Sequence, residues 1–180
     1  MNRLIRKLAP DQRPAALAIL AEWNMAPRRP GPGLAEPERS ELDPTKTFVA
    51  LADGVVIGVA SYIVHSSTLA ETASLAVSDS ARGTGAGFAL QCARLAEMRT
   101  LGITTVRTET DRPDTIDWYC RKFGYERVGT NPKKHEFSLP DVDEWTVLEL
   151  DLRALRLDIT AVVERFNLDE GEAPARGDHR

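Results

Sequence analysis

Residues Val77–Leu90, which read Val-Ser-Asp-Ser-Ala-Arg-Gly-Thr-Gly-Ala-Gly-Phe-Ala-Leu, carry the strongest structural signal in this chain. An apolar strand ends at Val77, a short polar turn follows, and the glycine-rich segment 82–87 begins a long helix. Glycines at such a junction allow unusual φ angles and let a ligand approach the backbone closely. The N–H groups of the first helical turn and the positive end of the helix dipole form an anion site, to which Arg82 adds a positive charge. The pattern therefore predicts a site for a phosphate or pyrophosphate group.

Two common phosphate-binding motifs do not match this stretch. The dinucleotide-binding fingerprint Gly-x-Gly-x-x-Gly needs a third glycine where this chain has Phe88. A P-loop needs Gly-Lys-Ser/Thr, which the sequence lacks. A tight strand-to-helix turn that binds no ligand is the alternative that stays open.

The composition indicates one domain and excludes several classes of protein. The chain has 180 residues, with 23 basic and 27 acidic side chains, a balance that argues against a nucleic-acid surface. It contains no apolar run of signal-peptide or membrane-spanning length, and Cys92 and Cys120 have neither metal-site spacing nor the density of a disulfide scaffold. We therefore expect a cytoplasmic protein without bound metal, nucleic acid or membrane. We expect one domain over residues 1–168 and a polar, disordered tail over 169–180.

Hydrophobic periodicity and turn residues predict the order of the elements. An edge strand at 2–8 leads to a helix capped by Asp11, and a proline-rich loop follows over 26–44, with a short helix at 35–42. Three antiparallel strands come next, with Asp53-Gly54 as a hairpin turn. The strands of this meander are predicted at 47–52, 55–65 and 68–77. After them, the sequence predicts helices at 83–100, 113–123 and 153–166, and strands at 103–110, 125–129 and 145–152.

Two motifs resemble those of one family. The pattern Val-x-x-x-x-Arg-Gly-x-Gly-x-Gly-x-x-Leu beginning at Val77 resembles the acyl-CoA pyrophosphate loop of the GNAT superfamily of N-acyltransferases. The segment Ile116–Tyr125 is similar to that superfamily's late-helix signature, Ala-x-x-Phe/Leu-Tyr-x-x-x-Gly-Phe/Tyr. Two positions depart from the family pattern, since Asp79 replaces a proline and Arg112 replaces an asparagine. The resemblance, which covers residues 2–152, implies an α/β (α+β) fold with a mixed, mainly antiparallel central sheet of about seven strands flanked by helices.

The resemblance also implies acetyl-CoA as the acyl donor. In this superfamily, a bulge near the end of the third meander strand and the splay beside the next strand expose backbone groups that bind pantetheine and polarise the thioester. Here these groups would come from residues 75–78, with Val77 as the N–H donor. The implied cofactor contacts are Leu75, Ala76, Val77, Arg82, Gly83, Thr84, Gly85, Ala86, Gly87 and Arg112.

Tyr119 matches the family tyrosine that protonates the departing sulfur. The alternative interpretation is ordinary helix packing, in which a tyrosine beside Trp118 and Phe123 fills a core with its hydroxyl at the rim.

The catalytic base is assigned to Glu71, which lies six residues before Val77 on the same strand. Some family members carry a carboxylate there that takes the proton of the amine through water. Glu109 and Asp111, at the end of the following strand, are alternatives. Ordered water without a single base, and a solvated Glu71, also stay open.

Substrate contacts are expected from two loops that carry cations next to aromatic or amide groups. Two basic clusters facing one cleft would suit an amine that also bears a carboxylate, such as an amino acid. Solvated loop charge is the alternative. The predicted contacts in these loops, 23–29 and 131–137, are Trp23, Asn24, Arg28, Lys133 and His135.

These expectations lead to an N-acetyltransferase that moves acetyl from acetyl-CoA to a primary amine of a small molecule. A protein lysine or N-terminal acetyltransferase and a non-catalytic acyl-CoA-binding regulatory module are the alternatives. A homodimer through the late strands and the last helix is also expected, although the chain's own core would explain the same apolar residues. Those residues are Leu148, Leu150, Leu152, Leu155, Leu157 and Val162.

Overall fold

The computed structural model describes residues 2–26, 42–133 and 139–168, in which seven strands form one sheet with the order β1-β2-β3-β4-β5-β7-β6. Of the strand pairs described, β4 and β5 are parallel and the others are antiparallel. The expected mixed, mainly antiparallel sheet is thereby confirmed. The strands are β1 (Arg3–Lys7), β2 (Thr47–Ala52), β3 (Val55–Val64), β4 (Leu69–Val77), β5 (Thr105–Thr110), β6 (Glu126–Pro132) and β7 (Glu144–Asp151).

Helices cover both faces of the sheet. The α-helices of the described residues are α1 (Arg13–Glu22), α2 (Ala86–Thr100), α3 (Pro113–Phe123) and α4 (Ile159–Asn167). Val49 and Val59 pack with residues of α1, whereas their neighbours Ala50 and Ala60 pack with residues of α2 and α4. Because consecutive strand residues point to opposite faces, α1 lies on one face, and α2 and α4 lie on the other.

The parallel strands β4 and β5 pair over a short stretch and then separate. Residues 69–71 of β4 pair with residues 105–107 of β5, and the pairing stops there. Beyond it lies a gap between residues 72–77 and residues 108–110, here named the β4–β5 opening. A bulge lies on the β4 side, because Ser61 pairs with Ser74 while Tyr62 pairs with Thr72, which leaves Ala73 as the extra residue. The bulge was expected near the end of β4, but it lies in the middle of this strand.

Several element boundaries differ from the expected ones. Residues 10–12 form a 3₁₀ turn and Gln12 is the N-cap of α1, so the assignment of Asp11 as the cap was wrong. Helix α2 begins at Ala86 and not at residue 83, because Gly83 and Gly85 have φ angles of +79° and +86°, outside the helical region. The last helix begins at Ile159 and not at residue 153.

The expected dimer residues belong to the core of the chain itself. Leu148, Leu150 and Leu152 are buried with side chains of α2 and α3, and three others, Leu155, Leu157 and Val162, pack against this cluster. The short helix predicted at 35–42, most of the proline-rich loop and the tail predicted at 169–180 lie outside the described residues.

Candidate functional site

A cavity of about 610 Å³ occupies the β4–β5 opening. Its walls are residues 72–77 of β4, the glycine-rich loop, residues 108–110 of β5 and the inner side of α3. The cavity therefore lies between the carboxyl-terminal parts of the two parallel strands, at the edge of the sheet where ligands bind in open α/β folds. The apolar and polar side chains of four elements converge on it.

The glycine-rich loop owes its shape to backbone conformation. Gly83 and Gly85 have φ angles in the left-handed region, and a Cβ at either position would meet nothing within 4 Å. Glycine is thus selected by the φ angle and not by crowding. Thr84 supports the loop because its hydroxyl donates to the Ala81 carbonyl oxygen at 2.7 Å, and Thr84 does not line the cavity. The first-turn N–H groups of α2, which begins at Ala86, lie at the cavity wall and suit an anion.

Arg82 and Trp23 form one unit beside this loop. The Arg82 guanidinium carbon lies 4.8 Å from the centroid of the Trp23 ring, a cation–π contact worth about 0.5–1 kcal/mol at an exposed site. The indole Nε1 of Trp23 donates to the Val77 carbonyl oxygen at 3.0 Å. Trp23 therefore supports the predicted cofactor loop, and it also lines the cavity, as its expected role as a substrate contact requires. Asn24 has a φ of +54° at the end of α1 and does not line the cavity.

The end of β4 directs backbone groups into the opening. The Ser78 amide donates to the Ile57 carbonyl oxygen of the neighbouring strand at 2.9 Å. Backbone groups alternate in direction along a strand, so the N–H groups of Val77 and Leu75 point away from β3 and towards the opening. The backbone groups of Ala76 point to β3 instead. The N–H groups of Val77 and Leu75 thus have the orientation that the expected donor role requires, whereas Ala76 contributes only its place in the cavity wall.

Tyr119 lines the cavity and belongs to a tightly packed group of aromatic rings. The residue is 4 % exposed and lines the cavity, and its ring contacts those of Trp118 and Tyr125 with centroids 4.9 Å and 5.0 Å apart. Its hydroxyl oxygen accepts a hydrogen bond from Nη2 of Arg94 at 3.0 Å. Packing and a place at the reaction site are therefore compatible interpretations of this tyrosine.

Arg94 was not anticipated from the sequence. It lies in α2, is fully buried, and lines the cavity next to Tyr119. Its position in the run Ala-Leu-Gln-Cys-Ala-Arg-Leu at 89–95 was the available signal, since a charged residue rarely occurs among so many apolar ones without a specific set of partners.

The acidic side chains at the opening differ in where they point. Glu71 does not line the cavity, and its carboxylate bonds to Nε2 of His65 at 2.9 Å. Glu109 does line the cavity, and its Oε1 accepts from Nδ2 of Asn131 at 2.6 Å. Asp111 is buried and forms an ion pair with Lys133 at 2.5 Å. The structure therefore brings Glu109, and not the expected Glu71, to the cavity.

Lys133 and Arg112 are both held by carboxylates. The Lys133 ammonium bonds to Asp111 and donates to the Leu139 carbonyl oxygen at 2.6 Å, so it ties a loop to β5 and does not line the cavity. Arg112 lines the cavity and pairs with Asp114 at 3.0 Å. Their hydrogen bonds raise the pKa of the Arg112 guanidinium and lower the pKa of the Asp114 carboxyl. Arg28 and His135, two of the predicted substrate contacts, lie outside the described residues.

Within residues 2–26, 42–133 and 139–168, no group of three or more His, Cys, Asp or Glu side chains is arranged to hold a metal ion. None of the helices in this part of the chain is long and apolar enough to cross a membrane. Both cysteines are free thiols, and burial raises the pKa of Cys92 to about 12.

Comparisons with known proteins agree with this geometry. The family model described as the acetyltransferase (GNAT) family matches residues 13–125. A search of curated proteins found no match.

Solved structures share the fold at low sequence identity. An N-acetyltransferase from Staphylococcus aureus Mu50 superimposes with a TM-score of 0.62 at 20 % identity, over 84 % of this chain and 99 % of that one. The ribosomal-protein-S18-alanine N-acetyltransferase from Escherichia coli gives 0.62 at 18 % identity, over 83 % and 94 %. The structure of yncA from Salmonella typhimurium, which contains its cofactor acetyl-CoA, gives 0.63 at 16 % identity, over 87 % and 98 %. These likenesses show the fold.

Proposed function

Because the chain belongs to the acetyltransferase (GNAT) family, we propose that it transfers an acetyl group from acetyl-CoA to a primary amine of a small molecule. The observation that carries this proposal is the shared cavity. The glycine-rich loop, the β4 residues whose N–H groups point away from β3, and Tyr119 all line the same cavity. An anion site, a carbonyl-binding site and a proton donor are what acyl transfer from a CoA thioester requires.

The donor would lie along β4 and the glycine-rich loop. The first turn of α2 and the Arg82 guanidinium would bind the pyrophosphate, because both place donors and positive charge at one end of the cavity. The N–H groups of Leu75 and Val77 would bind the pantetheine arm and the thioester carbonyl, as added strand partners do. Arg112 and Asp114 would border this arm from the α3 side.

The chain's own groups would then assist each part of the transfer. The Val77 N–H would stabilise the negative charge on the acetyl oxygen as the amine nitrogen bonds to the acetyl carbon. Tyr119 would give its proton to the sulfur as the carbon–sulfur bond breaks. A carboxylate would take the proton that the amine nitrogen loses. The products would be the N-acetylated amine and the free thiol of CoA, and solvent would restore the proton of Tyr119.

We propose Glu109 in place of Glu71 as the carboxylate that takes this proton. Glu109 lines the cavity, whereas Glu71 lies where β4 and β5 are still paired and is bonded to His65. Replacing each by glutamine is a matched comparison, because both are partly buried strand carboxylates with one bonded neighbour. We expect Glu109→Gln to lower kcat by at least about 100-fold and Glu71→Gln to leave it within about threefold. The opposite ranking would contradict this assignment.

The contacts of the loop cations bear on which acceptor can be proposed. The expectation of a carboxylate-bearing acceptor depended partly on Lys133, whose ammonium is bound by Asp111 inside the protein. We therefore restrict the proposed acceptor to a primary amine and leave its other groups to a substrate screen.

Calorimetry and thiol release together test the proposed function. We expect wild-type protein to bind acetyl-CoA and Arg82→Ala to bind it about 10- to 100-fold more weakly, the range for losing a charge-assisted hydrogen bond. Arg121→Ala is the control, since it removes the same charge from an exposed position of α3 that does not line the cavity. Over a panel of amines, Tyr119→Phe should lower kcat by at least about 100-fold while the Kd for acetyl-CoA changes little.

Two results would contradict this function. Wild-type protein that binds no acyl-CoA would exclude the acyltransferase. Binding without thiol release from any amine would favour the non-catalytic acyl-CoA-binding module.

A further inference from the structure

Arg94 is the bulkiest of the fully buried side chains among the described residues, with an exposure of 0 %. Within this part of the chain, no carboxylate forms an ion pair with it. Removing a cation from water without an opposite charge is unfavourable, and an apolar side chain of similar size would fill the same space at lower cost. Packing alone therefore does not account for an arginine at this point of α2.

The hydrogen bonds of Arg94 link four elements around the cavity. Its Nε donates to Oε1 of Gln91 at 2.6 Å, within α2. Its Nη1 donates to the carbonyl oxygens of Ser61 and Ser74, at 2.8 Å and 2.7 Å, in β3 and β4. Its Nη2 donates to the Tyr119 hydroxyl, in α3, at 3.0 Å. One rigid guanidinium plane thus fixes the phenol relative to both central strands.

The two carbonyl groups that Arg94 binds belong to the β4 bulge. Ser61 and Ser74 form the last regular pair before the extra residue Ala73 interrupts the ladder. A backbone carbonyl oxygen has two lone pairs, so the guanidinium can donate to both oxygens in addition to any ladder bond, at the point where the register shifts. The same side chain therefore fixes the backbone just before Leu75 and the hydroxyl of Tyr119.

The bond to Tyr119 has a direction that matters for proton transfer. A phenol oxygen that accepts from Arg94 leaves its own single proton to donate elsewhere, and the cavity is adjacent. When this proton passes to the sulfur and the carbon–sulfur bond breaks, the negative charge that remains on the phenol oxygen lies beside the guanidinium. A hydrogen bond to a charged oxygen is stronger than one to a neutral oxygen, so this contact strengthens as the proton leaves.

We propose that Arg94 is a positioning residue for the reaction, which fixes the Tyr119 hydroxyl relative to the β4 bulge and stabilises the phenol oxygen as its proton is transferred. This inference rests on the proposed acetyltransferase function, because it assigns Arg94 an effect that is exerted through Tyr119.

A double-mutant cycle separates this effect from a general loss of structure. We expect Arg94→Met to lower kcat by about 10- to 100-fold with little change in the KM for acetyl-CoA, the range for one hydrogen bond to a charged group. In the Tyr119→Phe background, the same substitution should lower kcat by less than about threefold, because the group that Arg94 acts on is gone. Arg94→Lys, which keeps the charge, should recover part of the lost kcat. A structural role would lower kcat by similar factors in both backgrounds.

A second pair of variants keeps the test decisive if Arg94→Met does not fold. That substitution removes the donor to the Ser61 and Ser74 carbonyl oxygens, so thermal melts of every variant accompany the kinetics. In that case Arg94→Lys and Arg94→Gln are compared instead, in the wild-type and Tyr119→Phe backgrounds. We expect Arg94→Lys to be more active than Arg94→Gln only in the background that keeps Tyr119. If wild type is active and Tyr119→Phe is impaired, equal effects of the Arg94 substitutions on kcat in the two backgrounds would overturn this inference. The proposed function would not be affected by that result. A wild type that releases no thiol with any amine would overturn the proposed function, and this inference with it.

Discussion

Asp43 shows how one exposed carboxylate organises a turn before a strand. Its Oδ1 accepts from the hydroxyl and from the backbone N–H of Thr45, at 2.7 Å and 2.9 Å, and its Oδ2 accepts from Lys46 at 3.1 Å. These hydrogen bonds favour the ionised carboxylate, and the bond from the Thr45 hydroxyl has the largest effect. Together they lower the pKa of Asp43 to about 2, from the ordinary value of 3.8. These hydrogen bonds thus fix the conformation of the turn that precedes β2.

This lowered pKa predicts how stability depends on pH. A carboxylate whose pKa is lower in the folded state contributes stability that is fully present above pH 3.8 and is lost as the pH falls towards 2. We expect the difference in free energy of unfolding between wild type and Asp43→Asn to shrink over this window, as measured by urea denaturation. Thr45→Ser, which keeps the hydroxyl donor, should retain the pH dependence of wild type. A difference that stays constant from pH 6 to pH 2 would contradict this assignment.

The sequence alone could predict some of the residues that line the cavity, but not all of them. Arg82, Gly85 and Tyr119 line the cavity, and the sequence could single them out because each belongs to a motif of closely spaced residues. Glu71 was misplaced because distance along a strand does not reveal where pairing with the next strand ends, and Glu71 lies before that point. Arg94 was missed because whether a helical arginine faces the core depends on its partners in other elements.

At the scale of elements, the start of α4 depends on a cap that the sequence pattern did not identify. The Asp158 carboxylate accepts from the backbone N–H of Ala161 at 3.0 Å and satisfies one donor of the first turn. The segment before it, 153–158, was predicted as helix from its apolar spacing, but Asp158 is the residue that ends the turn and begins the helix. Helix α4 packs against α2 and β1, so its start influences the whole outer layer.

Replacing this cap should destabilise the protein by a modest and definable amount. We expect Asp158→Ala to lower the free energy of unfolding by about 1 kcal/mol, the typical value for losing an N-cap side chain. Asp158→Asn keeps an oxygen acceptor at the same position and should stay close to wild type. Chemical denaturation followed by circular dichroism measures both, and equal losses in the two variants would show that the negative charge, and not the cap, is what matters.

Elements bounded by clear local signals were predicted best, and both ends of α3 were predicted correctly. The bounds of β2 were predicted correctly, and the hairpin after it was confirmed, because Asp53 and Gly54 have the positive φ angles, +48° and +82°, that such a turn requires. Alternation and turn chemistry are local properties. The start of α2 was misplaced because the sequence alone does not show that Gly83 and Gly85 have positive φ angles, which keep both residues out of the helix.

At the scale of the molecule, the sheet consists of two groups of strands joined by a short seam. Strands β1–β4 and strands β5–β7 meet where residues 69–71 pair with residues 105–107. A ligand in the β4–β5 opening contacts both groups, because β4, β5 and α3 all line the cavity. Binding to the folded state alone stabilises a protein by mass action.

Acetyl-CoA is therefore expected to raise the melting temperature. At 100 times its Kd, a single-site ligand adds about 2.7 kcal/mol, which corresponds to a shift of roughly 5–10 °C for a protein of this size. The shift can be followed by calorimetry or dye binding. Arg82→Ala should need a correspondingly higher ligand concentration for the same shift, and Arg121→Ala should match wild type. A wild-type melting temperature unchanged by saturating acetyl-CoA would contradict this expectation.

The strand order has a consequence for biosynthesis. Among the strands that the structure describes, β7 is made last, and it is inserted between β5 and β6, which precede it in the chain. A nascent chain that has left the ribosome only as far as residue 132 therefore has two strands without their central partner, and β5 presents an open edge to other chains. The sheet closes only after residues 144–151 have emerged. The emergence of β7, and not of the glycine-rich loop, is therefore the step that completes the sheet.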